Sequence, residues 1–207
     1  MRWREKVARE KVARFIGWDY WGKPVPSFGD PNARLLIIGL APAAHGGNRT
    51  GRMFTGDRSG EWLFRTLYKF GFANRRVSTS REDGLQLKDC YITASIRCAP
   101  PQNKPLKSEL ENCRPYLLQQ LRVLKNVQVM VALGRVAYDV AFNAIKDSGM
   151  TGIKRKPQFA HGVEVKLSDD VMLIGSYHPS QQNTFTGRLT RPMFDTIFRT
   201  ARALLGP

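Results

Sequence analysis

Four short apolar runs punctuate the chain: ARLLIIG (33–39), DCYITASI (89–96), VQVMVALG (127–134) and VMLIGSYHPS (171–180). Runs this short and continuous, closed by glycine or a polar loop, are the pattern of strands buried on both faces. Segments of helical spacing separate them. SGEWLFRTLYKFGF spaces Trp62, Leu63, Thr66, Leu67 and Phe70 on one face, with Gly71 as a stop. In SELENCRPYLLQQLRVL, Ser108 can cap the start, and Pro115 must kink the helix or divide it. RVAYDVAFNAIKDSG and RPMFDTIFRTARALL are two further helices. Strand and helix in alternation specify an α/β fold, a three-layer α/β/α sandwich about a central, mostly parallel sheet, here read as four-stranded. No linker is long enough to divide the chain, so residues 1–207 read as one domain. A basic helix at 2–15 opens it, with REKVA occurring twice and charges of both signs marking a solvated face.

In open parallel sheets, ligands bind beyond the carboxyl ends of the strands. Three loops leave those ends, at 40–58, 97–105 and 177–190, and they hold most of the unusual residues. The first reads GLAPAAHGGNRTGRMFTGD. Gly46 and Gly51 have the separation of a phosphate-binding P-loop, but Arg52 and Met53 stand where Lys and Ser/Thr are needed, which argues against nucleotide hydrolysis. No G-x-G-x-x-G follows the strand, which removes the dinucleotide reading as well. Glycines here let backbone N–H groups approach an anion. Phe54 suits stacking on a flat ligand or anchoring the loop in the core. Asp57 is a general base, an electrostatic stabiliser, or the N-cap of the following helix.

In the second loop, RCAPPQNKP, Asn103 can pair an amide with a base edge or serve as a turn residue. In the third, HPSQQNTFTGRLT, His178 can donate to a developing oxyanion or sit as a satisfied, partly buried histidine. Ser180, Gln181 and Asn183 can hydrogen-bond phosphates, and Arg188 adds charge. Leu189 is apolar within a basic loop; it can wedge between base steps or staple the next helix.

Composition selects the partner. The chain carries 33 Lys+Arg against 17 Asp+Glu, a formal charge of +16 spread along its length. An excess of this size calls for a polyanion, nucleic acid first. No apolar run reaches the roughly 18 residues of a membrane span. The basic N-terminus has no apolar centre for a signal peptide. The reading is a cytoplasmic protein that works on DNA as a monomer. Its three cysteines, Cys90, Cys98 and Cys113, include no C-x-x-C, which argues against a disulfide scaffold and against a four-cysteine zinc site.

GLAPAAHGGNRTGRMFTGDRSG and HPSQQNTFTGRLT, in that order, with CYITASIRCAPPQNKP between them, resemble the uracil-DNA glycosylase superfamily, and within it family 5, or type B. The resemblance covers about residues 1–205. It implies a monofunctional enzyme that hydrolyses the N-glycosidic bond of uracil and other deaminated bases, such as hypoxanthine, flipped from double- or single-stranded DNA, and so initiates base-excision repair. It implies that Asp57 positions water or stabilises the cationic sugar, Phe54 stacks on the base, Asn103 reads its edge, and His178 donates to its carbonyl. Asn183 is the second polar candidate for catalysis, and His45 a supporting group in base recognition. Ser180, Gln181, Arg188, Leu189 and Arg52 are the expected DNA contacts, with Leu189 filling the gap the base leaves. Two positions set the chain apart from other branches. GLAP has no Asn or Asp early in the first motif, which passes the water-directing task to Asp57. The second strand has Ala94 where family 4 has asparagine, which passes base reading to Asn103.

Families 4 and 5 also imply a structural 4Fe-4S cluster on four cysteines. Cys98 and Cys113, with 14 residues between them, match two ligands, and no cysteine precedes Cys90. Either the chain starts past the other pair or the cluster is lost; two thiolates cannot hold it. A second class of function stays open beside the enzyme: a non-catalytic or covalently trapping binder of damaged DNA with the same fold.

Overall fold

The computed structural model describes residues 2–206. In chain order they form α1 (Arg2–Glu10), a 3-10 turn (Ala13–Phe15), β1 (Phe28–Gly29), β2 (Leu35–Gly39), α2 (Gly47–Thr50) and α3 (Arg58–Lys69). Then come β3 (Cys90–Ala94), a second 3-10 turn (Pro101–Asn103), α4 (Lys107–Val123), β4 (Val129–Leu133) and α5 (Arg135–Asp147). The chain ends with β5 (Glu164–Lys166), β6 (Met172–Ser176), α6 (Gln181–Phe185) and α7 (Arg191–Leu205).

One sheet in the order β1-β3-β2-β4-β6-β5 forms the middle layer. Its inner four strands are parallel, with Ile37 opposite both Ile92 and Val131, and Val131 opposite Ile174. All five residues of β2 and of β4 are buried. The pleat sends successive side chains to opposite faces. Leu35, Ile37, Val129 and Val131 join the core under α3 and α7, with Leu63, Leu67, Phe194 and Phe198. Leu36, Ile38, Met130 and Ala132 join the core under α4 and α5, with Leu117, Leu121, Ala141 and Phe142. The three-layer α/β/α sandwich is therefore the observed fold.

The strand count needs correction: among the described residues the sheet has six strands. β1 and β5 pair antiparallel at its two edges and are only two and three residues long. Such lengths carry no periodicity, and in β5 only Val165 is buried between exposed Glu164 and Lys166. Short charged edges limit pairing with other chains.

Three local expectations also change. The basic helix stops at Glu10, and Lys11 takes φ 53° before the 3-10 turn. Nor is that helix simply solvated: Val7 is buried, and Arg4 donates to the Gly22 carbonyl at 3.1 Å and to Cys98 Sγ at 3.0 Å. α4 runs through Pro115 as one helix. The carbonyl that Pro115 leaves free belongs to Glu111, an exposed residue open to water. α4 also begins before Ser108, with the Glu109 carboxylate accepting from the Leu106 N–H at 2.8 Å, half of a capping box.

Candidate active site

The first loop follows β2 and folds onto itself. Gly51 turns the chain at φ 77° after α2. The 20–25 segment laces the loop down, with Trp21 N–H donating to Arg49 O at 2.9 Å and Gly22 N–H to Asn48 O at 3.0 Å. Phe54 then adopts φ 55°, uncommon for a bulky residue and a conformation that persists where surroundings enforce it. They do so here. A Cβ on Gly60 would collide with the Phe54 carbonyl, and one on Gly39 would meet the Phe54 ring. Phe54 as a whole is 8% exposed and belongs to the core, so it anchors the loop there.

Asp57 caps α3, accepting from the Gly60 N–H at 2.9 Å through Oδ1. Its Oδ2 lies so close over Gly46 that a Cβ there would collide with it. The cap thus uses one carboxylate oxygen. Burial raises the Asp57 pKa, while the N–H groups of Gly60 and Ser59 and the charge of Arg49 act against that rise. The role of Arg49 does not follow from the sequence, which shows it only as one more polar residue of the first loop. Its guanidinium sits 3.9 Å from the Phe15 ring centroid and 4.2 Å from that of Trp18. It donates to His45 O at 2.8 Å and Gly56 O at 3.2 Å. Its partners come from a segment more than 25 residues upstream and from backbone, so no motif marks it. His45 bonds Tyr20 through Nδ1 at 3.0 Å. Burial, with Arg14 and Arg49, lowers its pKa.

The third loop leaves β6 and brings His178 to the first. The Phe54 and His178 rings lie 6.1 Å apart at 29°. Gly134, at φ 97°, makes room, since a Cβ there would stand 3.3 Å from His178 Cβ. Burial lowers the His178 pKa to about 4, so the imidazole is neutral at pH 7 and carries one N–H donor. Asn183 fixes the loop, its side-chain amide donating to His178 O at 2.8 Å and its main-chain carbonyl accepting from Leu189 N–H at 2.9 Å. Ser180 caps α6. Gln181 is exposed, and Arg188 is exposed with its guanidinium 4.7 Å from the Tyr177 ring. Asn103 is exposed in a turn, with φ 57° after Gln102 at 53°, a conformation asparagine tolerates.

Two expected DNA contacts are corrected. Leu189 is 1% exposed and belongs to the core under α7. Thr190 is the N-cap of that helix, so Leu189 at N′ and Phe194 at N4 form a hydrophobic staple. Arg52 is 7% exposed and donates to Asp83 at 2.7 Å, to Ser78 Oγ at 3.0 Å and to the Arg81 carbonyl. Burial opposes ionisation of Asp83, but Arg52 and the N–H groups of Leu85 and Thr79 prevail and bring its pKa to about 2. Arg52 thus ties the 78–85 loop to the first loop.

The cysteines do not make up a four-thiolate set. Cys90 is fully buried, and burial pushes its thiol well up. Cys98 and Cys113 are half-buried and free. Among the described residues no three His, Cys, Asp or Glu gather to hold a metal ion, and Arg4 occupies the Cys98 sulfur. No helix among them is long and apolar enough to cross a membrane.

A parallel sheet with a carboxylate, an aromatic ring and a neutral histidine gathered beyond its carboxyl ends defines a hydrolase-type site on an α/β scaffold. Comparison makes the assignment specific. Residues 26–202 match the uracil DNA glycosylase superfamily, and the chain belongs to that family. A type-5 uracil-DNA glycosylase of Mycobacterium leprae is 50% identical over 99% of this chain and 88% of its own. One of Thermus thermophilus is 45% identical over 99% and 90%. A type-4 uracil-DNA glycosylase of Archaeoglobus fulgidus is 32% identical over 75% and 70%.

Proposed function

We infer that the chain is a uracil-DNA glycosylase that takes uracil and, more broadly, other deaminated bases such as hypoxanthine from DNA as the opening step of base-excision repair. The observation that carries this reading is the meeting of His178 with Phe54, which brings the third loop onto the first loop three residues before the Asp57 cap.

Cleaving the bond between C1′ and the base nitrogen sends its electron pair to the base and leaves a cationic, oxocarbenium-like sugar. A neutral His178 donates a hydrogen bond to the base carbonyl as that negative charge grows, without having to lose a proton. Asp57 stands on the sugar side. It stabilises the cation and accepts the proton of the water whose oxygen joins C1′. The released base keeps the electron pair and takes up a proton from solvent. The products are free base and an abasic site, and no enzyme amine is consumed. Flipping costs a few kcal/mol, offset by phosphate contacts from the basic surface. In this reading Asn103, exposed in the loop that follows β3, contacts a base edge; a site with few fixed base contacts accepts several bases.

Base release from duplexes with uracil, hypoxanthine or a thymine mismatch tests this reading, wild type beside Asp57→Ala. Release of uracil and hypoxanthine by the wild type and a crippled variant are expected. Tight binding of damaged duplex with no release would instead make the protein a reader of damage. We also propose that the chain as given folds without a 4Fe-4S cluster. Iron and sulfide-band absorbance in anaerobically purified protein would overturn that.

A further inference from the structure

The two motif loops feed two helices whose first turns converge. α3 starts at Arg58, directly after Asp57, and α7 starts at Arg191, directly after the third loop. There the Arg191 guanidinium lies 3.9 Å from the Trp62 ring centroid, and Trp62 meets Phe194 edge-on. Arg58 lies 4.4 Å from the ring of Phe185, which is 68% exposed and covers it from the solvent side.

This cluster holds an unusual set of unused donors. Arg58 Nε, Trp62 Nε1 and Arg191 Nη1 are all buried without a hydrogen-bond partner, and Trp62 as a whole is only 6% exposed. Buried donors are nearly always satisfied. The nearby acids are otherwise engaged or exposed: Asp195 holds Lys69 at 2.5 Å and Thr66 at 3.2 Å, and Glu61 is exposed. Burial lowers the Arg191 pKa, and Arg65 and Arg58 lower it further. Asp195 and Glu61 partly offset the like charges that crowd here at the positive ends of two helix dipoles.

We propose that Arg58, Trp62 and Arg191 form a phosphate site, and that its ligand is one backbone phosphate of the DNA strand being processed. Once the exposed Phe185 ring moves off Arg58, a phosphate oxygen accepts from all three donor types, neutralises the crowded guanidinium groups, and is held by the residue that follows Asp57 in the chain. The inference rests on the DNA-glycosylase reading. Occupying this site fixes the register of the strand against the catalytic carboxylate. Phosphate contacts position a nucleic acid without reading its sequence.

The test measures binding of a duplex carrying an uncleavable 2′-fluoro-deoxyuridine against salt concentration, for wild type, Arg191→Met, Arg58→Met and the double variant. Arg199→Met, an exposed arginine further along α7, controls for the general loss of charge. Each phosphate contact contributes about 0.9 to the slope of log affinity against log salt. Arg191→Met is expected to lower the slope by about that much and to weaken binding roughly tenfold at 0.1 M salt. The double variant is expected to lose no more slope than Arg191→Met, because both arginines serve one phosphate. Thermal unfolding checks that each variant is folded. Arg191→Lys, which retains charge and stem, supplies the second reading: slope kept, affinity reduced. Unchanged slope and affinity in folded Arg191→Met, or losses equal to those of Arg199→Met, would overturn the site. Thermal protection by inorganic phosphate, lost in Arg191→Met with no change in DNA slope, would assign the pocket to free phosphate and overturn the backbone assignment. Absence of uracil release by the wild type would instead sink the glycosylase reading, which these binding slopes do not depend on.

Discussion

His178 links the chemistry of the site to the stability of the fold. Burial lowers its pKa to about 4 from the ordinary 6.5. The unfolded chain therefore takes up a proton near pH 6.5 that the folded chain refuses until near pH 4. A depressed histidine pKa contributes stability that is complete above the unfolded value and is lost as pH falls through the folded one. At 1.36 kcal/mol per unit, the loss between pH 7.5 and 4 is about 3 kcal/mol. His178→Gln has no such proton to take up. Urea unfolding of both proteins at pH steps from 8 to 4 gives the comparison. The difference cancels the contributions of the other titrating groups, His45, Asp57 and Asp83 among them. The wild type is expected to lose about 3 kcal/mol more than the variant across that window, roughly 6–12 °C in unfolding midpoint for a domain of this size. Curves parallel to within about 0.5 kcal/mol would show that the folded imidazole protonates like a solvated one, and the neutral-donor role would fall with that result.

Other perturbations separate roles that one residue combines. Asp57→Asn keeps an N-cap acceptor but loses the carboxylate; uracil release should fall about 10²–10⁴-fold with the unfolding midpoint unchanged or raised. A pH profile of kcat/KM for the wild type should show an acid limb above the ordinary carboxylate range, because only ionised Asp57 accepts a proton and burial has raised its pKa. Arg52→Ala strands Asp83 in a buried setting and should cost about 3–5 kcal/mol by urea titration, with uracil release per folded molecule the lesser effect. Leu189→Ala should cost about 2–5 kcal/mol; a drop in base release without that loss would restore the wedge assignment.

The parallel core was legible because β2 and β4 are buried from end to end and their apolar runs say so. β1 and β5 were not, since two or three residues define an edge only through the strand they pair with. In the site, glycine spacing and a histidine at a strand end located the loops, and the ring pair of Phe54 and His178 follows from them. Charge misled at Arg52: a sequence counts a cation, but its partner Asp83 lies 31 residues away on another loop. Leu189 misled differently. The order Leu-Thr-x-x-x-Phe marks a stapled helix start as well as an apolar tip, and the Thr190 cap settles it for the staple. Arg49 was visible as a loop cation but its role was not, because stacking on Phe15 and Trp18 exists only after the N-terminal segment folds over the loop.

One cause, burial at the carboxyl ends of the strands, moves the two central groups in opposite directions. It raises Asp57 and lowers His178, since each shift favours the neutral form. For His178 that is the working form, a donor that needs no deprotonation. For Asp57 the working form is the charged one, so the fold must counter burial. It does so with the α3 N-terminus, whose Gly60 and Ser59 N–H groups face the carboxylate, and with the Arg49 charge held in its aromatic sandwich. The helix cap and the catalytic carboxylate are then one arrangement: the N–H groups that begin α3 also keep Asp57 ionised where a cationic sugar needs it. Arg49→Met should therefore move the acid limb of Asp57 upward in pH while leaving the His178-linked stability profile in place.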